Sequence, residues 1–181
     1  MPLSEPRSVL SDDARRGIDR EVAKYPPDQK QSAVMAALAI AQDEHGWLST
    51  ETMDAVAAHL GMPPVAVYEV ATFYTMYNLK PTGRHKLTIC TNLPCALQGA
   101  TAAAEHLKRT LGIDFNETTA DGRFTLKEGE CMGACGDAPV VLVNNKRMCS
   151  WMRAEKLDEL VSELGAAAPA APAAAPMSAK P

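Results

Sequence analysis

Residues 84–112 read RHKLTICTNLPCALQGATAAAEHLKRTLG, and residues 130–149 read ECMGACGDAPVVLVNNKRMC. In the first stretch Leu87 and Ile89 alternate with polar neighbours over residues 85–91, the two-residue period of a strand. Leu97, Ala100, Ala104, Leu107 and Leu111 then recur at helical spacing up to Gly112. Cys90 ends the strand and Cys95 begins the helix, with Pro94 stiffening the loop between them. In the second stretch Cys131 and Cys135 lie in CMGACG, where Gly133 and Gly136 let backbone amides approach the sulfurs. The apolar run 140–143 suits a strand buried on both faces, and Asn144-Asn145 suits a two-residue hairpin turn into 146–149. Asp121-Gly122 precedes another alternating segment, 123–127, carrying Phe124 and Leu126. Leu157, Leu160, Val161 and Leu164 mark a final helix closed by Gly165. The predicted order is β-α-β-β-β-α, a sheet with helices against it.

Upstream the pattern is helix after helix. Ser11 can cap a helix with Asp12 and Asp13 in its first turn and Ala14, Ile18 and Val22 on one stripe, broken at Tyr25-Pro26-Pro27. A second helix is predicted over 28–45, ending at Gly46, and a third from Ser49 or Thr50 to Gly61. A fourth opens at Met62-Pro63-Pro64 and runs towards Tyr77, placing Phe73, Tyr74 and Tyr77 on one helix and chiefly in the core. Residues 166–181 are almost all Ala and Pro, with prolines that remove helical donors and almost nothing large enough to pack, so a disordered tail is expected. The fold class is therefore α+β: a helical amino-terminal part over 1–80, a sheet domain over 81–165, and the tail over 166–181.

Composition narrows the function. Of 181 residues 46% are hydrophobic, but 30 are alanine and only 5% are aromatic, so two small cores are more plausible than one large one. Lys and Arg number 18 against 22 Asp and Glu, a net charge of −4 that argues against nucleic acid and acidic membranes. The helical half is more acidic still, which excludes a DNA-binding helix-turn-helix. No apolar run reaches the length of a membrane span, and the amino terminus has no signal-like apolar region, so a soluble cytoplasmic chain is expected. G-x-G-x-x-G and G-x-x-x-x-G-K-[ST] are both absent, leaving no phosphate-cradling loop for a nucleotide.

The five cysteines carry the chemistry. Cys90 and Cys95 form C-x4-C, Cys131 and Cys135 form C-x3-C, and Cys149 stands alone. An odd number without a secretory signal makes a poor disulfide framework. Two close pairs suit a metal–sulfur cluster, each pair gripping one iron, while a helix start and glycine amides stabilise sulfur-borne charge. An oxidised [2Fe–2S] centre with four thiolates carries about −2. Zinc prefers C-x2-C knuckles, and the absence of C-x-x-C weighs against thiol–disulfide exchange. Spacing alone leaves all three open, in that order. Cys149 is read as a free thiol, and His45, His59, His85 and His106 as ordinary surface or capping residues. Asp137, beside the second pair, is read as a turn residue, and Trp47 and Trp151 as packing residues.

CTNLPCALQGA, ECMGACGDAPVVLVNN and the upstream GWLS…GMPPVAVYEVATFYTMY resemble the E-subunit family of the respiratory NADH:quinone oxidoreductases (complex I), the thioredoxin-like [2Fe–2S] ferredoxins. The resemblance spans roughly residues 10–165. It implies a thioredoxin-like sheet domain, one [2Fe–2S] cluster, and Cys90, Cys95, Cys131 and Cys135 as its ligands. It further implies that NADH and FMN reside on a partner flavoprotein subunit, with which this chain exchanges single electrons without being catalytically competent alone. The location implied is peripheral, on the cytoplasmic side of a bacterial inner membrane. The equivalent diaphorase subunit of an NAD-linked hydrogenase or formate dehydrogenase is the alternative in the same chemistry. A zinc-stabilised, non-redox interaction module is the alternative of another class.

Overall fold

A computed structural model describes residues 9–166, which divide into two compact units, one up to Pro81 and one from Thr82. The Ala/Pro tail from residue 167 lies outside the described residues.

In the first unit Ser11 caps helix α1 (Asp12–Val22), its Oγ accepting the Ala14 N–H at 3.1 Å. The predicted second helix begins later than expected: Lys30–Ala33 form a 3-10 turn, and α2 runs Val34–His45. Five of its residues (Val34, Ala37, Leu38, Ala41 and Gln42) are buried and three more are half-buried against the core, so α2 is the central element of this unit. Helix α3 (Thr50–Leu60) is capped by Ser49, whose Oγ accepts the Thr52 N–H at 3.1 Å. Helix α4 (Pro64–Phe73) starts at a proline, which needs no intrahelical partner there.

α4 stops at Phe73 rather than running towards Tyr77. Tyr74 is extended, and the chain returns to α2, where Gln42 accepts the Asn78 N–H at 2.5 Å and donates to the Met76 carbonyl at 3.2 Å. The Tyr77 hydroxyl donates to the Met35 carbonyl at 2.8 Å. These bonds hold the segment out of a helix that its aromatic and β-branched residues already disfavour. The aromatics accordingly separate: Tyr77 is buried, Tyr74 only partly covered, and Phe73 77% exposed.

The second unit is a four-stranded sheet in the order β2-β1-β3-β4. Strands β1 (His85–Cys90) and β2 (Phe124–Gly129) pair in parallel, in a register that sets Cys90 opposite Gly129. β3 (Val141–Val143) runs antiparallel to β1, and the Asn144-Asn145 turn, both residues at positive φ, leads into β4 (Arg147–Cys149). One face carries Leu87, Ile89, Phe124, Leu126, Val141 and Val143 against Ala103, Ala104, Leu107, Leu157, Leu160 and Leu164. These last residues come from helices α6 (Ala100–Leu111) and α7 (Ala154–Ala166).

Three further expectations are corrected by the fold of the second unit. The predicted helix 97–111 is two helices, α5 (Leu93–Leu97) and α6, parted at Gln98-Gly99, and Leu97 is 78% exposed rather than on the buried stripe. A single turn wrapped round Cys95 must break before a longer helix can lie on the sheet. β3 is fully buried on one face only, since Leu142 is half-buried. The last helix passes through Gly165 to Ala166, because packing of Leu157, Leu160 and Leu164 carries it beyond the glycine.

Candidate metal centre

The residue alternation of β1 decides where the first thiol goes. Leu87 and Ile89 face the helices, so Lys86, Thr88 and Cys90 face the opposite side. Cys90 and Cys95 are both fully buried, in a small cluster of their own with Ala100, Ala138 and Val140. Cys131 and Cys135 are exposed, on the loop after β2, with Met132 and Ala134 packed against that cluster. Gly133 has a φ of 71°, a conformation that disfavours a side chain, and its N–H donates to the Cys131 sulfur at 3.4 Å. Gly129 allows a close approach: a Cβ there would stand 2.7 Å from Thr88 Cγ2 and 2.9 Å from Met132 Cε.

The two cysteine loops are tied to each other and to the sheet. The Thr91 N–H donates to the Gly129 carbonyl at 3.4 Å, and the Cys90 N–H to the Val140 carbonyl at 3.2 Å. The Thr91 hydroxyl donates to Glu128 Oε1 at 2.7 Å, and Asn92 Nδ2 to Glu130 Oε2 at 2.8 Å. Asp137 accepts the Ser150 hydroxyl at 3.0 Å through its carboxylate and the Trp151 N–H at 2.7 Å through its carbonyl, fastening the second loop behind Cys135. That is the turn role expected of Asp137. Trp151 itself is mostly exposed, beside Lys156, and Trp47 is half-buried.

The four thiols influence one another. Burial pushes the Cys95 thiol up to about 11, helped by its hydrogen bond with Cys90 and the nearby Cys90, Cys135 and Cys131. Cys135 is raised by lost solvation, then by its hydrogen bond with Cys131 and the proximity of Cys131 and Cys90. Cys95 and Cys135 therefore resist ionising by themselves. Cations that bind them deprotonate them outright and reverse the repulsion. Among the described residues no three His, Cys, Asp or Glu side chains are grouped to hold one ion. Cys90 and Cys95 share a buried cluster, and the loop bearing the exposed Cys131 and Cys135 packs on it through Met132 and Ala134. Four thiols brought from two loops fit the donor set of a two-iron cluster, two ligands to each iron.

Cys149 is not drawn into this group. It pairs with Val141, packs against the helix-covered core, and has its thiol raised by burial, with Arg147 and Glu163 as its charged neighbours. The histidines are elsewhere: His45 is bonded to the Val9 carbonyl, His59 to Asp19, His106 to Asp158, and His85 lies beside the Phe124 ring. Sequence reading missed the Thr91–Glu128 and Asn92–Glu130 bonds, although each of these residues lies within four positions of a cysteine. It also missed Lys86, buried on the far face of β1, where burial and then neighbouring Lys127 push its ammonium down to about 8.

Known proteins resemble this chain over most of its length. The family model for thioredoxin-like [2Fe–2S] ferredoxins matches residues 18–165. The E subunit of NADH-quinone oxidoreductase from Rickettsia conorii is 46% identical over 125 residues, 68% of this chain and 75% of the relative. The second E subunit of the same oxidoreductase from Rhizobium meliloti is 45% identical over 153 residues, covering 84% and 89%. An NAD+-reducing [NiFe]-hydrogenase in the H2-reduced state shares the fold with a TM-score of 0.64 at 24% identity, over 75% of this chain and 22% of the hydrogenase chain. The chain belongs to the thioredoxin-like [2Fe–2S] ferredoxin family.

Proposed function

We propose that Cys90, Cys95, Cys131 and Cys135 hold the [2Fe–2S] cluster, and that the chain is the one-electron-carrying subunit of the NADH-oxidising module of an NADH–quinone oxidoreductase. The observation that carries this is the convergence of two cysteine loops at the end of β1 and β2, Cys90 and Cys95 in a buried cluster on which the loop bearing Cys131 and Cys135 packs. When bound, the cluster supplies a one-electron acceptor and donor. The protein's part is to hold it. Cys90 and Cys95 anchor one side from a buried, water-poor wall, and Cys131 and Cys135 close the other from an exposed loop. The Gly133 amide aimed at Cys131 stabilises negative charge on that sulfur.

The sequence carries neither phosphate-cradling glycine motif, so hydride chemistry falls to a partner carrying FMN and the NADH site, with this chain passing single electrons to and from the flavin. The E-subunit relatives at 45–46% identity favour the quinone reductase over the hydrogenase, whose likeness is one of fold. No helix among the described residues is long and apolar enough to cross a membrane. Attachment through the complex, at the cytoplasmic side of an inner membrane, accords with that.

The test is to mix NADH with the cluster-loaded chain alone and then with an FMN-binding flavoprotein that co-purifies with it from its source. NADH bleaches the cluster absorbance only in the mixture, and FMN is retained only by the partner. Tight FMN retention or NADH oxidation by this chain alone overturns the division of labour.

A further inference from the structure

We propose that Glu128 and Glu130 are positioning residues that clamp the two cysteine loops together and, by their charge, hold the reduction potential of the centre down. The inference rests on the reading of the four cysteines as ligands. Thr91 and Asn92 lie between Cys90 and Cys95, and Glu128 and Glu130 lie just ahead of Cys131. The bonds Thr91–Glu128 at 2.7 Å and Asn92–Glu130 at 2.8 Å therefore join the chain within four residues of a thiol on either side. They reinforce the end of the backbone ladder, Glu128 from within β2 and Glu130 from just past it. β1 and β2 finish at Cys90 and Gly129, and the main-chain bond beyond them, from the Thr91 N–H to the Gly129 carbonyl, is long at 3.4 Å. There the two side-chain bonds add to the weakening main-chain connection between the loops.

Both acceptors are carboxylates bonded to neutral donors, so their charge is not cancelled by the bond that positions them. Reduction adds an electron to a centre already at about −2, and two nearby negative charges oppose it. The bonds are at an exposed site, so the opposition is screened and falls as ionic strength shortens the Debye length from about 30 Å at 0.01 M to 3 Å at 1 M. Clamp and charge separate by substitution. Glutamine keeps the accepting oxygen and the size of glutamate but removes the charge; alanine removes both.

The test uses the full chain carrying its cluster. In 0.01 M salt the double variant E128Q/E130Q is expected to hold wild-type iron and sulfide. Its reduced-to-oxidised ratio at a fixed ambient potential rises about threefold, which is about 28 mV at 59 mV per decade. The difference should shrink in 1 M salt. E128A/E130A should also lose iron to a chelator several-fold faster, and T91V/N92L, which keeps the charges, should lose iron faster with no upward shift in potential. An unchanged potential in E128Q/E130Q at low salt overturns the charge role, and wild-type iron release from both E128A/E130A and T91V/N92L overturns the clamp. Failure of the underlying reading looks different: a Cys90→Ser or Cys131→Ser variant would keep a wild-type cluster.

Discussion

Replacing Gly129 by Ala tests whether close packing at the end of β2 keeps the two cysteine pairs in reach of each other. The added Cβ would stand 2.7 Å from Thr88 Cγ2, 2.9 Å from Met132 Cε and 3.3 Å from the Ile89 carbonyl oxygen. Ordinary carbon contacts lie at about 3.5–4.0 Å, so Thr88 or the strand must give by about 1 Å. Met132 is flexible and can move aside. Thr88 is β-branched and sits on β1, so its methyl cannot turn away freely. Overpacking of this kind costs about 1–3 kcal/mol. Moving Gly129 also endangers the Thr91–Gly129 bond, already 3.4 Å, and the loop bearing Cys131. With a urea slope of about 1–3 kcal/mol/M, the far-ultraviolet circular dichroism midpoint should fall by about 1 M, and iron per chain should drop. Thr88→Ser removes the offending methyl, so the double variant should recover about 1 kcal/mol of the loss. A wild-type midpoint and iron content in Gly129→Ala, or no recovery on adding Thr88→Ser, would refute the close-packing argument.

Lys86 gives a pH-dependent prediction. Its folded value of about 8 lies below the ordinary 10.5, so below pH 8 both states are protonated and the folded state bears the full cost of the buried charge. At 1.36 kcal/mol per pH unit that cost has a ceiling of about 3 kcal/mol. Between pH 8 and 10.5 the unfolded chain binds more protons and this contribution to stability rises. Lys86→Met should therefore be more stable than wild type at pH 7, with the advantage largely gone by pH 10; a pH-independent difference in urea midpoint contradicts the buried-charge account. Cys149→Ala should keep wild-type iron and the reduced-state spectrum, because Cys149 packs with the helix-covered core. Equal loss of iron in that variant would show that the wrong four thiols have been chosen.

Much of this was legible in the residues. The strand ending at Cys90, the Asn144-Asn145 turn, and the caps at Ser11 and Ser49 follow from alternation and local hydrogen bonding, which act within a few residues. What failed was set by distant contacts. The end of α4 is decided by Gln42 and Met35, more than thirty positions away in sequence, which capture Asn78 and Tyr77. The break after Leu97 is decided by the need to wrap a turn around Cys95, and apolar spacing alone runs straight through it. In the site, the cysteine pairs were visible because thiols at close spacing have few other uses. Glu128 in β2 and Glu130 just after it looked like ordinary surface acids, since their partners lie just past β1, 37 and 38 residues away.

The central claim is a two-iron cluster on Cys90, Cys95, Cys131 and Cys135. Electron paramagnetic resonance of the dithionite-reduced chain, with iron and acid-labile sulfide counted on the same sample, tests it most directly. The account predicts about two irons and two sulfides per chain and a single one-electron paramagnetic signal, lost or markedly distorted when any of these four cysteines becomes serine. Stoichiometric zinc without labile sulfide, or an unaltered signal in one of those four variants, would contradict it.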